Sequence, residues 1–184
     1  MTLQDLIIDH NWTLFLDRDG VINTRIIDDY VKSWDQFSFL PGVLPALKIF
    51  SGIFGKIIVV SNQQGIAKEV MTVQDVEQIH QRMIQESNSS GAVIHAVYYA
   101  PQLASSGSVM RKPNVGMALQ ARKQFPEIRF KRSVMVGDSL SDMLFGKRLD
   151  MKTVFLSHDS SLPNKNPRLI DFFYPDLKSF ADAL

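Results

Sequence analysis

The sequence predicts an α/β fold, a three-layer α/β/α sandwich around a central parallel sheet. Two observations carry this. Short apolar runs of β-forming residues alternate with helical patterns over nearly the whole chain, as βαβ units do. Most of those runs are continuously apolar, which a strand covered by helices on both faces requires. The 184 residues are the size of one domain. A chain of that length buries about 70% of the surface it exposes unfolded, so one core suffices.

In chain order, the first strand is read at Thr13 to Leu16 (TLFL). From Gly20 to Pro41 the alternation breaks, with Tyr30, Trp34, Phe37 and Phe39 mixed among charges and no clean period. An excursion of that length beside a strand end is more often functional than idle. A helix follows around Leu44 to Phe50, then a strand at Lys56 to Val60. Val73, Val76, Ile79, Met83 and Ile84 fall at helical spacing, and Thr72 with Asp75 has the form of a capping box, so a helix is placed from about Val73 to Glu86. The polar stretches Ser87 to Gly91 and Ser105 to Ser108 read as loops on either side of a strand at Val93 to Tyr99. A helix at Val115 to Gln124, a strand at Ser133 to Val136, a helix at Ser141 to Leu149 and a strand at Thr153 to Leu156 continue the pattern. A weaker strand at Phe172 to Tyr174 and a helix at Leu177 to Ala183 close it. Residues 1–184 are expected to form a single domain, with the 20–41 excursion as a flap.

Composition narrows the function. No cysteine is present, which excludes disulfides, iron-sulfur clusters, thiolate zinc sites and a cysteine nucleophile. Twenty basic against 19 acidic residues leave a net charge of +1, so there is no long-range attraction for nucleic acid or for a charged membrane surface. No apolar run approaches the roughly 20 residues of a membrane span. The start MTLQDLIIDH lacks the basic cluster of a signal peptide. A soluble, cytoplasmic protein is the expectation, and a monomer, since no exposed apolar helix is evident.

Polar clusters stand at the C-terminal ends of three expected strands: Asp17-Arg18-Asp19-Gly20, Ser61-Asn62-Gln63-Gln64-Gly65 and Gly137-Asp138-Ser139. In an open parallel sheet those ends share one edge, where ligands bind. Taken singly, each has an ordinary reading: a tight turn, an ST-turn, a helix cap. Arg111-Lys112, taken alone, is a solvated basic pair. Together they match phosphoryl transfer to water, in which charge on the transferred group is neutralised by a metal and positioned cations. Carboxylate oxygens without His or Cys select Mg2+ rather than zinc. One Asp attacks phosphorus and the other protonates the leaving oxygen, then deprotonates water. Metal contact is expected to keep Asp17 ionised while Asp19 holds its proton more readily.

The segments FLDRDGVIN, VVSNQQGIA, RKPNVGM and VGDSLSDM, in this order, resemble the four motifs of the haloacid dehalogenase superfamily of phosphatases. More narrowly they are similar to the branch holding heptose bisphosphate phosphatases and histidinol-phosphate phosphatases. The resemblance runs from about Thr13 to Leu156. It implies a Rossmann-like fold and a Mg2+-dependent phosphomonoesterase acting on a small phosphorylated metabolite through an aspartyl-phosphate. Asp17 is implied as nucleophile, Asp19 as general acid/base, Ser61 as a donor to the phosphoryl group and Lys112 as its cation. Asp17, the Asp19 carbonyl and Asp138 are implied as Mg2+ ligands, with Asp142 orienting Lys112 or the metal's water shell. Arg111, Asn62 and Tyr30 are the substrate-binding candidates. Arg18 has no assigned direction. Many members of the branch carry a zinc loop before the RKP motif, and here Ala100, Gln102, Ser108 and Met110 stand where its ligands would be, so no zinc is expected. His10, His80, His95 and His158 are scattered and read as ordinary core or surface residues, and the eight Met as core filling. No insertion is long enough for a large cap, and the 20–41 excursion is expected to be the flap over the site, its aromatics helping to exclude water. A dehalogenase is disfavoured by Asp19, since that chemistry has no oxygen leaving group to protonate; a catalytically silent phosphometabolite-binding module is the alternative from another class.

Overall fold

A computed structural model describes residues 3–184. Six strands form one parallel sheet: β1 (Thr13–Leu16), β2 (Lys56–Asn62), β3 (Ala96–Ala100), β4 (Ser133–Gly137), β5 (Lys152–Leu156) and β6 (Phe172–Tyr174), in the order β3-β2-β1-β4-β5-β6. The chain runs outward from β1 to β3 and then returns across β1 to β4, so the order reverses between β1 and β4. This switch point opens a crevice at the carboxyl ends of β1, β2 and β4. Leu16 pairs with Val59 on one side and Val136 on the other. Asp17, the next residue, therefore emerges at the centre of that edge, its N–H donating to Val136 O at 3.0 Å.

Alternate strand residues enter opposite layers because successive side chains point to opposite faces. Leu14, Leu16, Ile57, Val59, Val134 and Val136 pack with Val43, Leu47 and Phe50 of α1 (Val43–Ile53), Ile79 and Met83 of α2 (Val73–Ser89), and Leu177 and Phe180 of α6 (Leu177–Asp182). On the other face Phe15, Ile58, Val60 and Met135 meet Met117, Ala118 and Ala121 of α3 (Gly116–Gln124) and Phe145 of α4 (Leu140–Lys147). This is the three-layer arrangement the alternation predicted.

Four differences from the sequence reading have local causes. The α2 helix runs to Ser89, into the stretch read as loop, because the buried Ser87 hydroxyl bonds back to Met83 O at 2.8 Å and needs no outside partner. β3 starts three residues late: Val93 is exposed and its N–H is taken by the Ser51 hydroxyl at 2.8 Å instead of a strand. α4 ends at Lys147 rather than Leu149, followed by Asp150 in the left-handed region at φ 57°. A short helix, α5 (Ser161–Lys165), has no apolar period to announce it; Asp159 seeds it through bonds to the Ser161 N–H and hydroxyl at 2.8 and 2.6 Å.

The 20–41 excursion is anchored at its base. The Arg18 carbonyl accepts from the N–H groups of Val21, Ile22 and Asn23, and its two arms close through Thr24 N–H to Ser38 O (2.9 Å) and Leu40 N–H to Ile22 O (3.0 Å). Trp34 stacks on Phe37 with centroids 4.8 Å apart, and Phe39 meets Phe37 edge-on at 5.0 Å. These rings join the main core rather than covering the site, which corrects the expectation that the aromatics exclude water there. Only Tyr30 of the four lines the central cavity, because it lies near the exposed tip. Among the described residues no helix is long and apolar enough to cross a membrane.

Candidate active site

A cavity of about 500 Å³ opens at the switch point, walled by Asp17 and Asp19 from the end of β1, Ser61 and Asn62 from the end of β2, and Arg111 and Lys112 from the loop before α3. Arg25 and Tyr30 from the excursion and Lys68 from the loop after β2 complete its polar rim. The strand-end clusters and the Arg-Lys pair, each at least 25 residues from the next in sequence, are thus brought together at one edge of the sheet.

Lys112 is the electrostatic centre. It is buried, with Nζ 2.7 Å from Asp17 Oδ1, 2.7 Å from Asp142 Oδ1 and 2.7 Å from Val60 O. Burial alone would drive its proton off, but Asp142 and Asp17 outweigh burial and raise its pKa, so it stays a cation. Asp142 is wholly buried on the first turn of α4, where its Oδ2 accepts from the Ser139 N–H at 3.1 Å and hydroxyl at 2.6 Å. The cap and the ion pair are one residue's two oxygens. Asn62 grips the Lys112 backbone reciprocally: its Nδ2 donates to Lys112 O at 3.1 Å and its Oδ1 accepts from Lys112 N–H at 3.0 Å.

Asp17 Oδ1 also accepts from Arg18 N–H at 2.7 Å. Burial, reinforced by the Asp142 and Asp138 carboxylates against the pull of Lys112, pushes its pKa up to about 7. Asp138 rises to about 6, again chiefly from burial. Carboxylate oxygens of Asp17, Asp138 and Asp142 lie within 4.8 Å of one another. Asp138 is not in the cavity wall itself; Arg25 is, and its guanidinium donates to Asp138 Oδ1 at 2.7 Å and to the Asp19 carbonyl at 3.0 Å. Gly20 sits at φ 89°, and a Cβ there would fall 1.9 Å from Asp138 Oδ2, so only glycine lets these groups close up.

The expected order, Asp17 ionised by metal contact and Asp19 the readier to hold a proton, concerns the metal-bound site; without the metal the surroundings of Asp19 act the other way. Burial acts to raise its pKa, but the Arg18 charge and hydrogen bonds from Arg18, Asn23 and Gln63 win, and it is lowered. Arg18 NH2 contacts both Asp19 oxygens at 2.9 Å, Asn23 Nδ2 donates to Oδ1 at 2.9 Å and Gln63 Nε2 to Oδ2 at 2.8 Å. Without a metal, Asp19 is therefore the ionised member and Asp17 the one that gains a proton more readily. The sequence showed the two carboxylates but not the donors packed around each.

Ser61 is buried in the wall and its hydroxyl accepts from Gln63 Nε2 at 2.7 Å. Arg111 lines the cavity, with NH1 donating to Gln102 O at 3.3 Å, and partial burial lowers its pKa. The segment Ala100 to Met110 is closed by Ala104 N–H to Gln64 Oε1 (3.2 Å) and Asn114 Nδ2 to Ser108 O (2.9 Å). Arg148 holds the following turn by bonds to Pro113 O and Asn114 Oδ1 at 2.9 and 2.7 Å. Sequence reasoning missed Gln63, Arg25 and Lys68. Gln63 lay inside a quoted motif, and the cationic pair lay in loops where no period points.

The family model for HAD-hydrolase-like proteins matches residues 109–179. A D-glycero-alpha-D-manno-heptose-1,7-bisphosphate 7-phosphatase of Mycobacterium bovis is 41% identical over 134 residues, 73% of this chain and 70% of that protein. The enzyme of that name from Campylobacter jejuni is 34% identical over 146 residues, covering 79% and 82%. The crystal structure of D,D-heptose 1,7-bisphosphate phosphatase from B. bronchiseptica, complexed with magnesium and phosphate, superposes with a TM-score of 0.82 at 25% identity, over 93% of this chain and 96% of that one. With its four motifs assembled at one sheet edge and relatives of this identity and coverage, the chain belongs to the haloacid dehalogenase family of hydrolases and is a phosphomonoesterase.

Proposed function

We propose that the protein hydrolyses the 7-phosphate of a heptose 1,7-bisphosphate through an aspartyl-phosphate on Asp17. The observation that supports this most is the Asp17–Lys112–Asp142 ion-pair chain facing a cavity rimmed by three further cations, Arg25, Lys68 and Arg111. One cation buried beside the nucleophile suits the transferred phosphoryl group; cations at the rim suit a second anionic group on the same small molecule. The names of the relatives agree with a bisphosphate.

The donor set fits Mg2+: hard oxygens from the Asp17 and Asp138 carboxylates and the Asp19 backbone carbonyl, with no nitrogen or sulfur among them. When bound there, Mg2+ supplies positive charge for the non-bridging phosphoryl oxygens. In the first step an Asp17 oxygen bonds to phosphorus, the bond from phosphorus to the ester oxygen breaks, and the Asp19 carboxyl gives that oxygen its proton. In the second, water attacks phosphorus, Asp19 takes the water's proton, and the bond to Asp17 breaks. Lys112 and the Ser61 hydroxyl face the phosphoryl oxygens throughout. Asp19 must acquire a proton before the first step, and an entering phosphate dianion favours this by raising its pKa. Asn62, its amide already committed to the Lys112 backbone, serves as a positioning residue, while Arg111 and Tyr30 contact the rest of the substrate. Residues 1–184 act as one domain under the 20–41 flap.

Phosphate release should be measured with Mg2+ on both anomers of D-glycero-D-manno-heptose 1,7-bisphosphate, on histidinol phosphate and on p-nitrophenyl phosphate. The bisphosphate is expected to give the highest kcat/KM, and a higher value for histidinol phosphate would overturn the substrate assignment. Arg111→Ala is expected to raise KM for the bisphosphate more than for the aryl phosphate.

A further inference from the structure

Behind the cavity lies a buried contact that the phosphatase chemistry above does not use. Arg18, between the two reactive aspartates in sequence, turns away from the cavity and is wholly buried. Its NH2 serves both oxygens of Asp19 at 2.9 Å, and its NH1 meets Nε2 of His80 at 3.1 Å. His80 projects from the middle of α2 and is itself buried, its ring 5.5 Å from that of Tyr99 on β3. Neither Arg18 nor His80 lines the cavity.

An arginine has only donors to offer, so His80 must present an unprotonated Nε2 and carry its proton on Nδ1. Burial, helped by the Arg18 charge, depresses the His80 pKa to about 3, which keeps the ring neutral throughout the working range. The contact has a geometric purpose. A single nitrogen shared between two carboxylate oxygens leaves the guanidinium free to pivot about that nitrogen, and its Nε is buried without a partner. A second fixed point, on the opposite terminal nitrogen, stops the pivot.

We propose that His80 is a positioning residue for proton transfer: through Arg18 it fixes the carboxylate of Asp19 in the wall of the site. This rests on the reading of Asp19 as general acid/base. The chain from α2 to Asp19 crosses two hydrogen bonds, and removing the far end loosens the near one without touching substrate, nucleophile or Lys112.

The test exploits the leaving group. An alkyl phosphate must have its departing oxygen protonated, whereas p-nitrophenolate leaves unaided, and kcat/KM reports the steps through the first bond cleavage. His80→Leu, which removes the acceptor, is expected to lower kcat/KM on heptose bisphosphate about tenfold, a fraction of the ~10²–10⁴ that positioned proton transfer contributes. On p-nitrophenyl phosphate the loss should stay within about threefold, and His80→Gln, which restores an acceptor oxygen, should recover most of the alkyl activity. Arg18→Lys keeps the charge but not the two-point grip, and should show the same dependence on leaving group if the leucine variant fails to fold. Equal losses on both substrates, or no loss on either, would overturn the proposal. Asp19→Asn separates the two readings: a strong leaving-group dependence there, with none in the His80 and Arg18 variants, sinks this inference alone, while its absence in Asp19→Asn sinks the acid/base reading itself.

Discussion

Asp17 and Asp19 are chemically identical side chains two residues apart, and their surroundings drive them in opposite directions. Asp17 is buried beside Asp138 and Asp142, Asp19 beside a guanidinium and two amide donors. The sign of the consequence for stability is fixed by proton counting. Without a metal, burial raises the pKa of Asp17 in the folded protein to about 7, whereas the unfolded chain releases that proton near 3.8. Between those values the folded state binds more protons, so the Asp17 contribution to stability is full below about pH 4 and declines as pH rises through 7. Asparagine does not titrate. In chelator-treated protein, Asp17→Asn is therefore expected to gain stability relative to the parent as pH rises from 4 to 7, with no further gain above. Urea melts across that range check it, and a pH-independent difference would show that burial does not hold the proton on Asp17.

Helix α2 and the 20–41 excursion contribute at the scale of elements, the one by its cap and the other by its cation. Thr72 and Asp75 close the capping box that the sequence predicted, Thr72 N–H donating to Asp75 Oδ2 at 2.8 Å and Asp75 N–H to Thr72 Oγ1 at 3.1 Å. Thr72→Ala should cost about 1 kcal/mol, read from the urea midpoint. From the excursion, Arg25 donates to Asp138 Oδ1 and to the Asp19 carbonyl, and so engages two of the groups that would hold the proposed metal. Its side chain is half exposed and can withdraw. Arg25→Ala is expected to bind Mn2+ several-fold more tightly by calorimetry, since a competing cation is gone; unchanged affinity would show that the guanidinium offers no competition. Arg25 was not legible beforehand because an arginine two residues beyond an Asn in an aperiodic loop carries no directional signal.

The molecule as a whole is a sheet whose two faces are sealed by helices, and the site depends on that seal. Phe15 sits directly before the end of β1 and packs against Phe130 and Phe145 with ring centroids 6.5 and 6.4 Å away. It fixes the strand that delivers Asp17. Phe15→Ala is expected to destabilise the fold by about 3–5 kcal/mol, and a thermal melt would register it as a shift of about 6–20 degrees in a chain of this size.

The amino-acid sequence by itself determined the order and type of nearly every strand and helix, because continuous apolar runs and 3.6-residue periods are local and survive without knowledge of neighbours. It also picked out the residues proposed to act on phosphate: Asp17, Asp19, Ser61, Lys112, Asp138 and Asp142 are all legible as polar residues at strand ends or in ordered motifs. Tertiary structure alone decided what surrounds each of them. The sequence assigns Arg18 no direction and shows His80 as a solitary core residue, because their contact joins the end of β1 to α2 across 62 residues. The flap aromatics Trp34, Phe37 and Phe39 read as a cover for the site, yet they pack into the core. Direction, partner and charge state come from contacts between residues distant in sequence, here Asp19 with Gln63 and Arg18 with His80, and no local pattern encodes them.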